Sequence, residues 1–99
     1  MSPINVKEYF YTVFFEPNLS GGYTITAPVF PDLEIDCECK SPEEAREIAR
    51  HALKEYLGIL TKHHQPIPEE QNPPQKDTKG FIERIGVYLF LESVNPENT

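Results

Sequence analysis

Only one segment of this chain has a helical period, and its start is sharply marked. In Ser41-Pro42-Glu43-Glu44, Ser41 reads as the N-cap and Pro42 as the first helical residue, where a missing N–H costs nothing. Glu44, three residues past the cap, reads as the return half of a capping box. Apolar residues then recur at three- and four-residue spacing: Ala45, Ile48, Ala49, Ala52, Leu53, Tyr56, Ile59 and Leu60. The pattern predicts a helix to about His63, on the order of 30 Å long. Gly58 inside it costs about 1 kcal/mol relative to Ala and predicts close packing or the onset of fraying. A single helix can cover one face of one sheet, so the rest of the chain must supply that sheet.

Three strand patterns precede the helix. Tyr9 to Phe15 is aromatic and β-branched throughout, the composition of a buried strand, with Tyr11, Val13 and Phe15 as its core side. Asn18, Gly21 and Gly22 supply turn chemistry, both glycines being read as positive-φ positions. Strand two follows from about Tyr23 to Val29, with Tyr23, Ile25, Ala27 and Val29 on one face. After Pro31, residues 32–40 alternate almost without fault. Leu33, Ile35, Cys37 and Cys39 fall on one face, and Asp32, Glu34, Asp36, Glu38 and Lys40 on the other.

Residues 65–80 hold Pro66, Pro68, Pro73 and Pro74 and only Ile67 as an apolar residue, which predicts an irregular connection that adds nothing to the core. A last strand begins at about Phe81, with apolar residues on both faces. The expected fold is α+β: a two-layer β-β-β-α-β sandwich made of a three-stranded antiparallel meander, one long helix packed on it, and a returning C-terminal strand. Residues 1–99 form a single domain, ordered over about 8–64 and 80–94.

Charge narrows the function. The chain carries nine Lys and Arg against sixteen Asp and Glu, a net charge of −7 that argues against direct nucleic-acid binding, which draws its affinity from cationic side chains. The helical segment 41–64 is neutral, while residues 1–40 hold six acids against two bases and residues 65–99 six against three. No run approaches the ~20 apolar residues of a membrane span, and the N-terminus lacks a signal-peptide pattern, so a cytoplasmic location is expected. Two cysteines one residue apart offer no disulfide framework and read as small core hydrophobes.

Several strings together carry a family likeness: Tyr-Thr-Val-Phe-Phe-Glu-Pro (11–17), Gly-Gly-Tyr-Thr-Ile-Thr-Ala-Pro-Val-Phe-Pro (21–31), Ser-Pro-Glu-Glu-Ala-Arg-Glu-Ile-Ala (41–49) and Gln-Pro-Ile-Pro-Glu (65–69). In this order they resemble the HicB family of type II antitoxins over about Tyr11 to Glu69. The resemblance implies a truncated ribonuclease-H-like domain that occludes a small basic HicA-type mRNA-interferase toxin. Where family members usually have Gly-Cys and Gly-Asp-Thr, this chain has Asp32-Leu33 and Lys40-Ser41-Pro42, which predicts a longer third strand. Many members append a DNA-binding domain, and with only three residues after Pro96 none is expected here.

Glu34, Asp36 and Glu38 stand about 7 Å apart along one strand, close enough for two to share a divalent ion. A ribonuclease-H-like metal site needs carboxylates converging from several elements, and strands one and two offer only Glu16 at a turn. Cys37-x-Cys39 with His63 and His64 lacks the two-to-four-residue gap of structural zinc sites, and the two histidines read as a helix C-terminus. No nucleophile elbow or phosphate loop is present. The expectation is therefore a binding protein, not an enzyme, with no cofactor and no metal. The expected partner-binding residues are Asp32, Glu34, Asp36 and Glu38, with Phe10 and Tyr88 as aromatic anchors. One helix leaves a sheet face uncovered, so a homo-oligomer (dimer or tetramer) is also expected, without toxin in an orphan relative. A divalent-metal nuclease is the remaining alternative.

Overall fold

A computed structural model describes the backbone of residues 4–70 and 79–92, and the side chains of 6–70 and 79–89. The order is β1 (Ile4–Pro17), β2 (Tyr23–Ala27), β3 (Phe30–Cys37), α1 (Pro42–Lys62) and β4 (Phe81–Glu92). The four strands form one antiparallel sheet in the order β3-β2-β1-β4, with α1 on one face. The expected α+β arrangement is present.

Period-two alternation in β1 sets the two faces. Tyr11, Val13 and Phe15 are fully buried beneath the helix, with Ile25 and Ala27 of β2 and Ile85 and Val87 of β4 beside them. Phe15 stacks on Phe81 of β4 at 4.5 Å between ring centroids. From the helix come Ala45, Ala49, Leu53 and Leu57, all fully buried at four-residue steps. Leu57 is thus a core residue that the sequence pattern omitted, whereas Ile59 is 58% exposed. At 100° per residue, two positions beyond Leu57 lie about 200° around the helix, facing water. Burying Leu53 and Leu57 stabilises the packing by about 2–3 kcal/mol each. Ser41 caps the helix as expected, its Oγ accepting the Glu44 N–H at 3.2 Å. Nothing approaches Gly58, so close packing does not account for that glycine.

Strand limits differ from the pattern for local reasons. β1 is longer at both ends because β4 pairs with it from Ile4 onward and β2 pairs with it as far as Pro17. β2 stops at Ala27 and β3 starts at Phe30, with a register shift at Thr26/Ala27. Phe30 becomes a core residue between Tyr11 and Tyr56, and Pro31 lies inside an edge strand, where its missing N–H is tolerated. Between β1 and β2, Asn18 Oδ1 accepts from the N–H groups of Ser20 and Gly22. Of the two glycines only Gly21 has positive φ (90°); Gly22 is needed because a Cβ there would meet the Cys37 carbonyl. Cys37 and Cys39, expected as separate thiols, are paired through their sulfurs across Glu38, both buried, with Cα atoms 5.2 Å apart. The pair closes a one-residue loop and ties no distant elements together.

The long connection has a geometric cause. β4 runs antiparallel to β1, so after α1 the chain must travel back along the sheet before β4 can begin beside Phe15. The first part of that return is not idle: Ile67 packs on the core, and Tyr11 Oη donates to the Pro68 carbonyl at 2.6 Å. Pro73 and Pro74, like residues 93–94, lie outside the described residues. Among the described residues, no helix is long and apolar enough to cross a membrane.

Candidate functional site

Asp32, Glu34 and Asp36 on β3, and Glu38 just past its end, are all exposed, while Cys37 and Cys39 are buried and Leu33 and Ile35 half-buried. The alternation read from the sequence is therefore the alternation of the strand. Glu34 sits opposite Thr26 and Asp36 opposite Thr24, whose hydroxyl donates to Asp36 Oδ1 at 2.8 Å. Because β3 is an outer strand, these carboxylates border water on the flank as well as above, and among the described residues no cationic side chain is paired with them.

Phe10 and Tyr88 lie on the face away from the helix, 44% and 56% exposed. The Phe10 ring lies over Gly86, where a Cβ would come within 2.9 Å of it, and the Arg84 guanidinium stacks on the ring at 5.6 Å. Val6 and Ile82 share this face and are also exposed. Phe14, on the same face, is buried, as is Thr12; the Phe90 side chain lies outside the described residues. The acids and aromatics share a face without converging. Glu34 reaches β1 through Thr26 and Phe14, four residues along from Phe10, a separation on the order of 16 Å.

A third group was not foreseen. Glu70 swings onto the edge of β1 and is nearly sealed from water, its side chain 3% exposed. Its carboxylate accepts the Thr12 N–H at 2.9 and 3.1 Å and the Thr12 hydroxyl at 2.6 Å, with Arg84 Nε at 3.8 Å. Among the described residues, β2 lies beside only Phe14–Pro17, so this carboxylate stands where a neighbouring strand would offer a carbonyl. One sequence signal could have pointed to it: Thr12, a polar residue at an outward mid-strand position between two phenylalanines. Next to it, Glu69 pairs with Lys7 at 3.0 Å and, through that hydrogen bond and its charge, raises the Lys7 pKa. Burial raises the Tyr11 pKa strongly, helped by the negative charges of Glu69 and Glu70.

The helix is clamped to β4 by Arg46, which meets both Glu83 oxygens at 2.7 Å and lies over the Phe81 ring; the same Glu83 hydrogen bond raises the arginine's pKa. His51, His63 and His64 are exposed, and the His63 N–H closes the helix end on the Ile59 carbonyl at 3.1 Å. Among the described residues, no three His, Cys, Asp or Glu side chains gather as a metal site.

These features define a small antiparallel α+β domain with one acidic edge and one aromatic patch on the face away from the helix. Over 62 residues the chain is 34% identical to the UPF0150 protein ssr1765 of Synechocystis sp. (strain ATCC 27184 / PCC 6803 / Kazusa), a match covering 63% of this chain and 76% of that protein. The chain belongs to the UPF0150 family. No family model and no solved structure matches it.

Proposed function

We propose that this chain is a HicB-like antitoxin, a binding protein rather than an enzyme, that occludes a small basic HicA-type ribonuclease in the cytoplasm. The observation that carries the reading is the strip Asp32, Glu34, Asp36 and Glu38, exposed side by side along an outer strand. Such a strip presents charges at about 7 Å intervals, suited to a surface shaped to hold RNA phosphates. Membership in UPF0150 and the HicB-like strings between Tyr11 and Glu69 support the same reading. Charge would govern the rate of encounter, and Phe10 and Tyr88 the lifetime of the complex.

The test is co-expression with the product of the neighbouring gene, followed by titration of the purified pair. Replacing Glu34, Asp36 and Glu38 together with Lys is expected to weaken binding by at least about tenfold and to remove growth rescue, while circular dichroism stays unchanged. Full neutralisation by a folded triple variant would sink the assignment. The exposed Val6, Phe10, Ile82 and Tyr88 favour a second reading, a homo-oligomeric relative without a toxin. An adjacent gene lacking any small basic product would point that way.

A further inference from the structure

The alternation of apolar and polar residues runs on to Lys40, yet β3 ends at Cys37. The pairing of Cys37 with Cys39 accounts for the difference. Along an extended strand, residues two apart have Cα atoms about 6.6 Å apart. Here the separation is 5.2 Å, within the span over which two cysteines can be joined. Drawing Cys39 in takes the chain out of the strand, and residues 38–41 run to α1 without regular structure. The pair closes across a single residue, so it constrains the unfolded chain far less than a bond between distant elements would, and the core does not depend on it. Both cysteines are buried on the same side, and Cys37 is held by its register with Tyr23, so two thiols released there stay side by side. Gly22 packs on the same segment: a Cβ there would come within 1.8 Å of the Cys37 carbonyl oxygen and 2.9 Å of the Cys39 nitrogen. Asn18 grips Gly22 through both its N–H and its carbonyl, each at 3.0 Å. The β1–β2 turn therefore rests directly on the backbone of Cys37-Glu38-Cys39.

We infer that Cys37 and Cys39 form a redox-active dithiol site that exchanges with low-molecular-weight thiols and disulfides of the glutathione type, and that the exchange repositions Glu38. In the oxidising direction one cysteine thiolate attacks the small disulfide, forms a mixed disulfide and expels one small thiolate. The second cysteine then attacks the protein sulfur of the mixed disulfide and expels the other. The two protein thiols lose two electrons and two protons, which leave on the two small thiols formed, and reduction reverses the steps. Access runs through residues 38–40, where Glu38 and Lys40 are exposed; local opening there uncovers the sulfurs without disturbing β3. Glu38 lies between the two sulfurs, so the end of the acidic strip moves with the redox state while Glu34 and Asp36 keep their register with β2. Thiol exchange at this site requires no toxin, so it stands or falls apart from the antitoxin reading.

The test equilibrates the intact chain with mixtures of reduced and oxidised glutathione, traps thiols by alkylation and reads the masses. Cys37 and Cys39 are the chain's two cysteines, so the mass alone assigns the bond. With oxidised glutathione in excess the chain is expected to hold the internal bond and take up no alkyl group. With reduced glutathione in excess it is expected to take up one on each cysteine, reversibly and with unchanged far-ultraviolet circular dichroism. Amide hydrogen exchange at Glu38, Cys39 and Gly22 is expected to differ by at least about threefold between the two forms, and to be the same in both at Ala49 and Leu53 of the helix. Thiols that never pair in the folded chain, or a bond that survives every excess of reduced glutathione, overturn the inference. So do two forms with equal exchange at Glu38, Cys39 and Gly22.

Discussion

The two ends of β1 are built from the same kinds of residue and held in different ways. At Phe14 and Phe15 the strand has β2 on one side, β4 on the other and the helix over the inner face, so backbone and side chains are satisfied within the fold. From Val6 to Thr12 only β4 lies alongside among the described residues, and a glutamate carboxylate substitutes for the missing strand at one point. Aromatic composition alone therefore does not make a strand central. What matters is whether a neighbour reaches it, and β2, five residues long, is too short to flank a strand of fourteen.

The sharpest way to break this comparison is truncation of one phenylalanine at each end. Phe15→Ala, fully buried and stacked on Phe81, is expected to destabilise by about 3–5 kcal/mol in urea unfolding, whereas Phe10→Ala, 44% exposed, should cost less than about 1 kcal/mol. Equal costs would erase the distinction. Next in size is the plug. Glu70→Ala leaves the Thr12 N–H and hydroxyl without their acceptor, an expected loss of about 2–3 kcal/mol accompanied by faster hydrogen exchange at the Thr12 amide. Exchange at Thr12 as slow as in the intact chain would show that the carboxylate is not what closes this edge.

The smallest expected effect is at Tyr11. Tyr11→Phe removes the bond to the Pro68 carbonyl and should cost about 1 kcal/mol near neutral pH. Its pH dependence carries a definite sign. The Tyr11 hydroxyl has a folded pKa raised above its ordinary 10.0, so its contribution is complete below pH 10 and is lost as pH rises beyond that toward the folded value. Stability measured above about pH 10 should therefore fall more steeply for the intact chain than for Tyr11→Phe.

Much of the fold was legible in the sequence because it is local. Ser41-Pro42 marks its own helix start, and the alternation from Asp32 to Glu38 needs no distant partner to declare which side is wet. The acidic strip was legible for the same reason. Leu57 was missed and Ile59 wrongly included because a periodic stripe is about three residues wide, and only the packed sheet selects its centre. Phe30 falls between the two strand patterns, and its burial between Tyr11 and Tyr56 depends on elements that are far apart along the chain. Glu69 and Glu70 fall in the connection expected to add nothing to the core, yet the latter is among the least exposed acids described.

By itself the sequence determined which residues alternate, where the one helix begins, and on which strand face the carboxylates gather, since each follows from spacing along a few neighbouring residues. Only the tertiary structure decided that β4 returns antiparallel beside β1, that the connection must retrace the sheet, and that Glu70 closes an edge β2 leaves open. Those outcomes depend on contacts between residues more than fifty positions apart, such as Thr12 and Glu70, and no local period encodes which distant group will reach an unpaired amide first.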